Sequence, residues 1–436
     1  MAEVRPLCGV RYNSAIFPDL AEVICPPYDV ISAMGQKALY ERSPYNFVRI
    51  EYSEALAGDN ELNNKYLRAA ASFQTWLSQG VLTQDNNLAF YVHDHYFTHQ
   101  GKEFHRRGLT CRVRLEEWSR KVVRPHENTM AVHRGDRTRL LRTLGANTSP
   151  VLAMYRDDSG VVTRVLSGAT AGAPLATASP LAGERHRLYG ISDDGAVKYL
   201  ETTFAETALY IADGHHRYES ALAYQRENQA RYPDAPPDAP FNYVLMTLID
   251  MDDPELLILP AHRLIRGLDP GLLAGLETGL ASFFEIETMA LSDPDVWEHL
   301  ATSSGQTDEP RLILAGPGDL LRVLTLRDFE AVAPLIPGQH TDIYKRMDVS
   351  LVDHVVLEAV LGIKSDNEDV VSFCYDRSDA VQRVLNGDNQ MAFMVQPVRP
   401  VVIKDIADAG DRMPRKSTYF YPKLPSGLLM NRVVLT

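Results

Sequence analysis

TALYIADGHHRYESALAYQ, residues 207–225, is the stretch on which the reading of this chain turns. It opens with Leu209, Tyr210 and Ile211, an apolar run of β-formers suited to a buried strand, and breaks at the turn pair Asp213-Gly214. Beyond the turn, Tyr218, Ala221, Leu222 and Gln225 recur at helical spacing. A helix that starts at such a turn aims its unpaired N–H groups, and the positive end of its dipole, at whatever occupies the turn. His215, His216 and Arg217 add cationic donors there; the Arg fork matches phosphate oxygens, and Gly214 lets the backbone come close. Asp213, Gly214, His215, His216 and Arg217 therefore predict an anion cradle, with phosphate as the anion. The plainer alternative is a capped turn with two satisfied histidines, but five consecutive polar or glycine positions at a strand-to-helix junction weigh against it. Adjacent helical side chains diverge by about 100°, so the His pair does not suit one shared metal ion.

Composition sets the frame. The 436 residues are 45% hydrophobic and 23% charged, values of an ordinary globular protein long enough for two or three domains. A net charge of -13 argues against a general nucleic-acid binder, which needs a basic face. Cys8, Cys25, Cys111 and Cys374 lie far apart with no CxxC spacing and read as reduced, mostly buried thiols. No apolar run reaches the ~20 residues of a membrane helix and no leader pattern opens the chain, so the expectation is a soluble cytoplasmic protein with no membrane partner.

Five further stretches carry candidate chemistry. In residues 24–31, Pro26 and Pro27 stiffen a loop that presents Tyr28 and Asp29, or merely connects to a helix over 32–41; residues 47–52 alternate as a strand does. His93 and His95 share a strand face, with His99 and His105 nearby, a spacing some metal sites use; ordinary polar residues of a hairpin account for it better. In residues 121–150, His126-Glu127 lacks the second histidine of a zinc-protease motif, the position being Met130, and His133-Arg134-Gly135-Asp136 lacks the rest of a kinase loop. What remains is Glu127, between His126 and Thr129 in an arginine-rich segment, as a general base, a magnesium ligand, or a helix-start carboxylate. After the strand at 256–259, His262-Arg263 can add a cationic pair or end a strand. Lys416, Ser417 and Thr418 can contact phosphate or a substrate carboxylate, although the glycines of a P-loop are absent; no GxGxxG loop supports a Rossmann site.

IADGHHRYESAL, together with CPPYDVIS near the start, RPHENT in the middle and MPRKSTYFYPKL near the end, resembles the bacterial and archaeal family named domain of unknown function 1015. The DGHHR element is similar to the phosphate loop of the ParB/sulfiredoxin-like superfamily, which includes partition-protein nucleotide domains, sulfiredoxin and free-serine kinases. The resemblance implies a mixed α/β fold: a ParB/sulfiredoxin-like core over 1–266, a second α/β unit over 267–365, and a C-terminal α/β segment over 366–436 that packs back on the core.

Phosphoryl transfer needs cations for phosphate oxygens and carboxylates for magnesium and for the acceptor hydroxyl. The reading is thus a nucleotide-dependent phosphotransferase using ATP, ADP or CTP with magnesium, acting on a small hydroxyl compound; the serine kinases suggest L-serine, by analogy. Asp213, Gly214, His215, His216, Arg217, His262 and Arg263 would hold phosphates. Glu127, Asp29 and His126 would be catalytic, Glu127 and Asp213 would be magnesium candidates, and Tyr28, Lys416, Ser417 and Thr418 would touch substrate or phosphate. The competing reading is a ParB-type nucleotide switch that controls a protein or DNA partner. A sulfiredoxin-like reductase fits less well, because the DGHHR loop has no cysteine.

Overall fold

The computed structural model describes residues 2–129, 131–179, 183–293, 310–316 and 320–435. Met130, the side chain of His133 and residues 180–182 of the small-residue stretch lie outside that set. The fold is mixed α/β, and its contacts divide the chain into two units. The first comprises Met1–Pro125, Thr129–Leu256 and Pro422–Thr436; the second comprises His126–Asn128 and Leu257–Tyr421.

Among the described residues, a nine-stranded sheet forms the first unit. The order runs Val123–Arg124, Leu209–Asp213, Val151–Tyr155, Tyr243–Asp250, Lys102–Arg114, Phe90–His99, Arg185–Ile191, Ala176–Ala178, with Val4–Arg5 also paired to Lys102–Arg114. Leu209–Asp213 pairs parallel to Val123–Arg124 and antiparallel to Val151–Tyr155, so the sheet is mixed. The near-continuous apolar run YVLMTLID of Tyr243–Asp250 occupies a middle position and is buried along almost its whole length, as a strand covered on both faces must be. Phe90, Val92, Leu109 and Val113 enter one core, and Tyr91, Leu188 and Leu245 another.

The expected strand at 47–52 is instead a short helix, Val48–Glu51. Asn46 decides this: its Oδ1 accepts from the Val48 amide at 3.0 Å, while its Nδ2 donates to the Glu22 carbonyl at 2.7 Å. A local side-chain-to-backbone bond thus overrides the alternation. The helix over 32–41 is found as Ala33–Arg42, capped by Ser32 Oγ, which accepts from the Gly35 amide.

In the second unit, six described strands form an antiparallel sheet in the order Phe284–Ala290, Leu320–Leu326, Arg311–Ala315, Met391–Met394, His262–Ile265, Val371–Cys374. No helix among the described residues is long and apolar enough to cross a membrane.

Candidate functional site

In the first unit the strand Leu209–Asp213 ends at the sequence-predicted turn. Its register against Val151–Tyr155 slips between Ile211 and Asp213, a bulge that leaves Ala212 unpaired and re-aims the chain. Gly214 follows at φ 91°, ψ 28°, in the left-handed region, and caps the 17-residue helix His215–Arg231 with no side chain of its own. A Cβ at Gly214 would lie 2.8 Å from Arg217 Nε and 2.9 Å from Nη2. The turn therefore needs glycine twice, for its backbone conformation and for the guanidinium packed over it.

Arg217 donates from Nη2 to Asp213 Oδ2 at 2.6 Å, and from Nη1 to Ser149 Oγ at 3.1 Å and to the Pro150 carbonyl. Lys423 Nζ donates to the other Asp213 oxygen, Oδ1. Burial alone would raise the Asp213 carboxyl, but Lys423 and Arg217, with help from His215, hold it far below the usual carboxylate range. One carboxylate thus carries two cations, and the cluster is net positive at the opening of a helix. Both Asp213 oxygens face cations, which does not suit it as a magnesium ligand. His215 is buried, and His216 is half-buried beside it.

The PPYD loop comes to the same unit. Tyr28 begins a short 3-10 turn, Tyr28–Val30, with the Arg137 guanidinium 4.0 Å from its ring centre. Burial pushes its hydroxyl up to about 12, against the pull of Arg137; Asp29 and Asp213 push the same way as burial, and Arg217 opposes them. Arg137 also donates to the Glu51 backbone carbonyl at 2.9 Å, and its Nη2 lies 2.5 Å from Asp136 Oδ2. Glu51 is fully buried, and its Oε2 meets no hydrogen-bond partner among the described residues. A cavity of ≈ 30 Å³ lies here, lined by Glu51, Arg137, Ser149, Arg217 and Ser220 among others, with room for about one water.

The second unit joins two other stretches singled out in the sequence. The Met413 amide donates to the His126 carbonyl at 2.8 Å. His126 Nε2 lies 3.0 Å from Thr418 Oγ1, which also lies 3.5 Å from Glu127 Oε1. His126 is fully buried; the Glu127 side chain is 23% exposed, a carboxylate beside a hydroxyl that retains the chemistry of an oxygen ligand for magnesium. Lys416 stands at φ 55°, and Ser417 Oγ is turned inward to the Pro414 carbonyl at 2.6 Å. Arg263 is wholly buried: it pairs with Asp353 at 3.1 Å and donates to the Ala261, Lys416 and Arg415 carbonyls. His262 Nδ1 accepts from the Val395 amide at 3.2 Å.

His93 and His95 are not solvated hairpin residues. Both are buried, and the antiparallel register sets His186 opposite His95. His95 Nε2 lies 2.9 Å from Glu184 Oε2, His93 Nε2 lies 3.1 Å from His186 Nδ1, and Arg106 Nη2 donates to His95 Nδ1 at 3.0 Å. By distance, His95, Glu184 and His186 could surround a metal. The donor set opposes it: with Nδ1 accepting from Arg106, neutral His95 carries its proton on Nε2, the atom a metal would need bare.

Two groups escaped the sequence reading. Lys423, next to last in the MPRKSTYFYPKL stretch, carries no role in the sequence reading, and only the fold returns it to Asp213. Glu184 immediately precedes the strand Arg185–Ile191 that carries His186, yet nothing in the sequence sets that strand beside His93 and His95.

A family model described as "Protein of unknown function (DUF1015)" matches residues 4–350. No curated protein matches the chain. Among solved structures, a conserved hypothetical protein from Pyrococcus furiosus is similar at 12% identity and a TM-score of 0.35, over 73% of this chain and 93% of that one. A variant of a free serine kinase in complex with ADP is similar at 11% identity and a TM-score of 0.34, over 72% and 86%. SbnI with a C-terminal truncation, from Staphylococcus aureus, is similar at 10% identity and a TM-score of 0.35, over 73% and 85%.

Proposed function

The chain belongs to the DUF1015 family, a membership that fixes no activity, and we propose that its first unit binds the phosphates of an adenine nucleotide at the turn Asp213-Gly214. The observation that carries this reading is the cluster at that turn: Lys423 and Arg217 share one carboxylate at the start of a 17-residue helix whose cap residue has no side chain. Helix opening, left-handed glycine and surplus positive charge together favour a multiply charged anion over water. Arg217 holds the turn rigid through Asp213, Ser149 and Pro150, while Lys423, His215, His216 and the Gly214 backbone face the phosphates.

The finer reading is phosphoryl transfer to a small hydroxyl compound, with free serine as the first acceptor to try. Tyr28 and Asp29 would meet the acceptor in the first unit, with Asp29 the candidate base. In the second unit, taken by itself, Glu127 would be a magnesium ligand, and His126 and Thr418 would orient it. Lys416 would present its amine from a turn that Arg263 and Ser417 support from within.

The test is incubation with magnesium and each of ATP, ADP and CTP against a panel of amino acids and hydroxy acids, read by mass for phosphorylated product, beside nucleotide titration calorimetry. Expected are binding, a product bearing one added phosphoryl group, and loss of both in Arg217→Ala. Stoichiometric binding without product supports the nucleotide-switch reading instead; no binding in the wild type ends both.

A further inference from the structure

The buried pair His95 and Arg106, with half-buried Glu184 beside them, does more than fill the sheet. Arg106 Nη2 reaches two acceptors, His95 Nδ1 at 3.0 Å and the Pro422 carbonyl at 2.7 Å. Lys423, the next residue along, is one of the two cations on Asp213. From the Glu184 carboxylate the contacts therefore run through His95 and Arg106 to the backbone beside Lys423 and end at the turn. All of these groups belong to the first unit.

We propose that Glu184, His95 and Arg106 form a proton-sensitive positioning relay that holds Lys423 on Asp213, so that ionised Glu184 favours, and protonated Glu184 weakens, phosphate binding at the turn. The last step rests on the nucleotide-binding reading above; the hold on residues 422–423 does not. Ionised Glu184 accepts from His95 Nε2–H, which leaves Nδ1 bare to accept from Arg106. If Glu184 gains a proton and donates it to Nε2, His95 must carry its own proton on Nδ1, where it confronts the Arg106 donor. Otherwise the charge-assisted bond to Glu184 is lost. Either way Arg106 loses part of its support and the Pro422 carbonyl part of its anchor.

The surroundings agree with such a relay. Burial pushes Glu184 up to about 7, with the Arg106 charge pulling against it. Burial lowers Arg106 to about 10, opposed first by Glu184 and then by Asp253 and Asp213. The other titratable groups facing Glu184 are His95 and His186, with His93 behind His186; burial holds all three neutral near pH 7. Glu184 is thus the member able to change charge there, and at 32% side-chain exposure it can exchange its proton with water.

Two measurements test this on the full chain. In the first, ADP affinity is followed by calorimetry from pH 6 to pH 8 in wild type and Glu184→Gln, since the neutral amide mimics the protonated acid. The wild type should gain about fivefold more affinity over that range than the variant, the ligand's own titration cancelling between them. Equal profiles overturn the relay's effect on binding. In the second, hydrogen exchange of peptides covering residues 422–430 is compared at pH 8 with no nucleotide present. Exchange should be severalfold faster in Glu184→Gln and in Arg106→Lys than in wild type; equal rates in all three overturn the hold itself. If exchange differs while no nucleotide binds at any pH, the nucleotide reading fails and the hold on residues 422–423 stands. A zinc or nickel titration that raises the melting temperature of wild type, but not of Glu184→Gln or His186→Ala, would overturn the relay in favour of a metal site.

Discussion

Gly214→Ala separates the two reasons the turn needs glycine. The backbone sits at φ 91°, where a Cβ costs about 1–2 kcal/mol. The new methyl would also lie 2.8 to 3.0 Å from three atoms of the Arg217 side chain. A flexible side chain could swing away, but this one is tied to Asp213, Ser149 and Pro150. Giving up one charged hydrogen bond costs roughly 1.5–3 kcal/mol, so the substitution should destabilise the first unit by about 3–4 kcal/mol in all. The assay is urea denaturation followed through Trp76 and Trp118, the latter stacked on Tyr218 of the same helix, in a Trp297→Phe background. Gly168→Ala is the control: it lies in the helix Val161–Ala169, where beyond its own helix turn no atom of the described residues comes within 4 Å of the new methyl, and it should be neutral or slightly stabilising. In an Arg217→Ala background the steric part vanishes, and Gly214→Ala should cost only the backbone part. The reasoning is refuted if Gly214→Ala costs the same with and without the Arg217 side chain.

Other outcomes follow from neighbouring geometry. Gly427→Ala should cost at least as much as Gly214→Ala, because φ is +90° and the methyl would meet Phe47 Cγ, Cβ and Cδ2 at 2.6 to 3.0 Å, the side chain being fully buried; a loss under about 1 kcal/mol by denaturation would contradict this. Lys423→Met should leave the fold intact and weaken ADP about tenfold at fixed salt, a change of about 1.4 kcal/mol by calorimetry; unchanged affinity removes Lys423 from the site. Burial pushes the folded Glu184 carboxyl from the usual carboxylate range up to about 7, so its contribution to stability is fully present at low pH and is lost as pH rises through about 7. The melting temperature of wild type relative to Glu184→Gln should therefore fall between about pH 5 and about pH 7.5, and a flat difference would show that Glu184 is not shifted. His93 runs the opposite way: burial lowers it from 6.5 to about 3, so its contribution is lost as pH falls below about 6.5. His93→Gln should flatten acid destabilisation in that window, as read by thermal scans.

The local sequence carried much of this molecule. The strand, turn and helix around Asp213-Gly214 were legible because each is written within a few residues: β-formers, a turn pair, then helical spacing. The helix over 32–41 is of the same kind, found one residue later as Ala33–Arg42. Where a competing local bond won, as Asn46 did over the alternation of 47–52, the pattern alone misled.

The sequence by itself determined which residues carry charge at a strand-to-helix corner, because backbone propensity and turn chemistry act over short separations. The tertiary structure alone decided what surrounds that charge. Lys423 reaches Asp213 from 210 residues away, and His186 faces His95 across a strand register. Register and long-range pairing are set by how whole strands bury their faces, and single segments do not encode them. The same burial turned His93 and His95 from solvated hairpin residues into neutral members of an interior network, since a charge without water costs more than a proton.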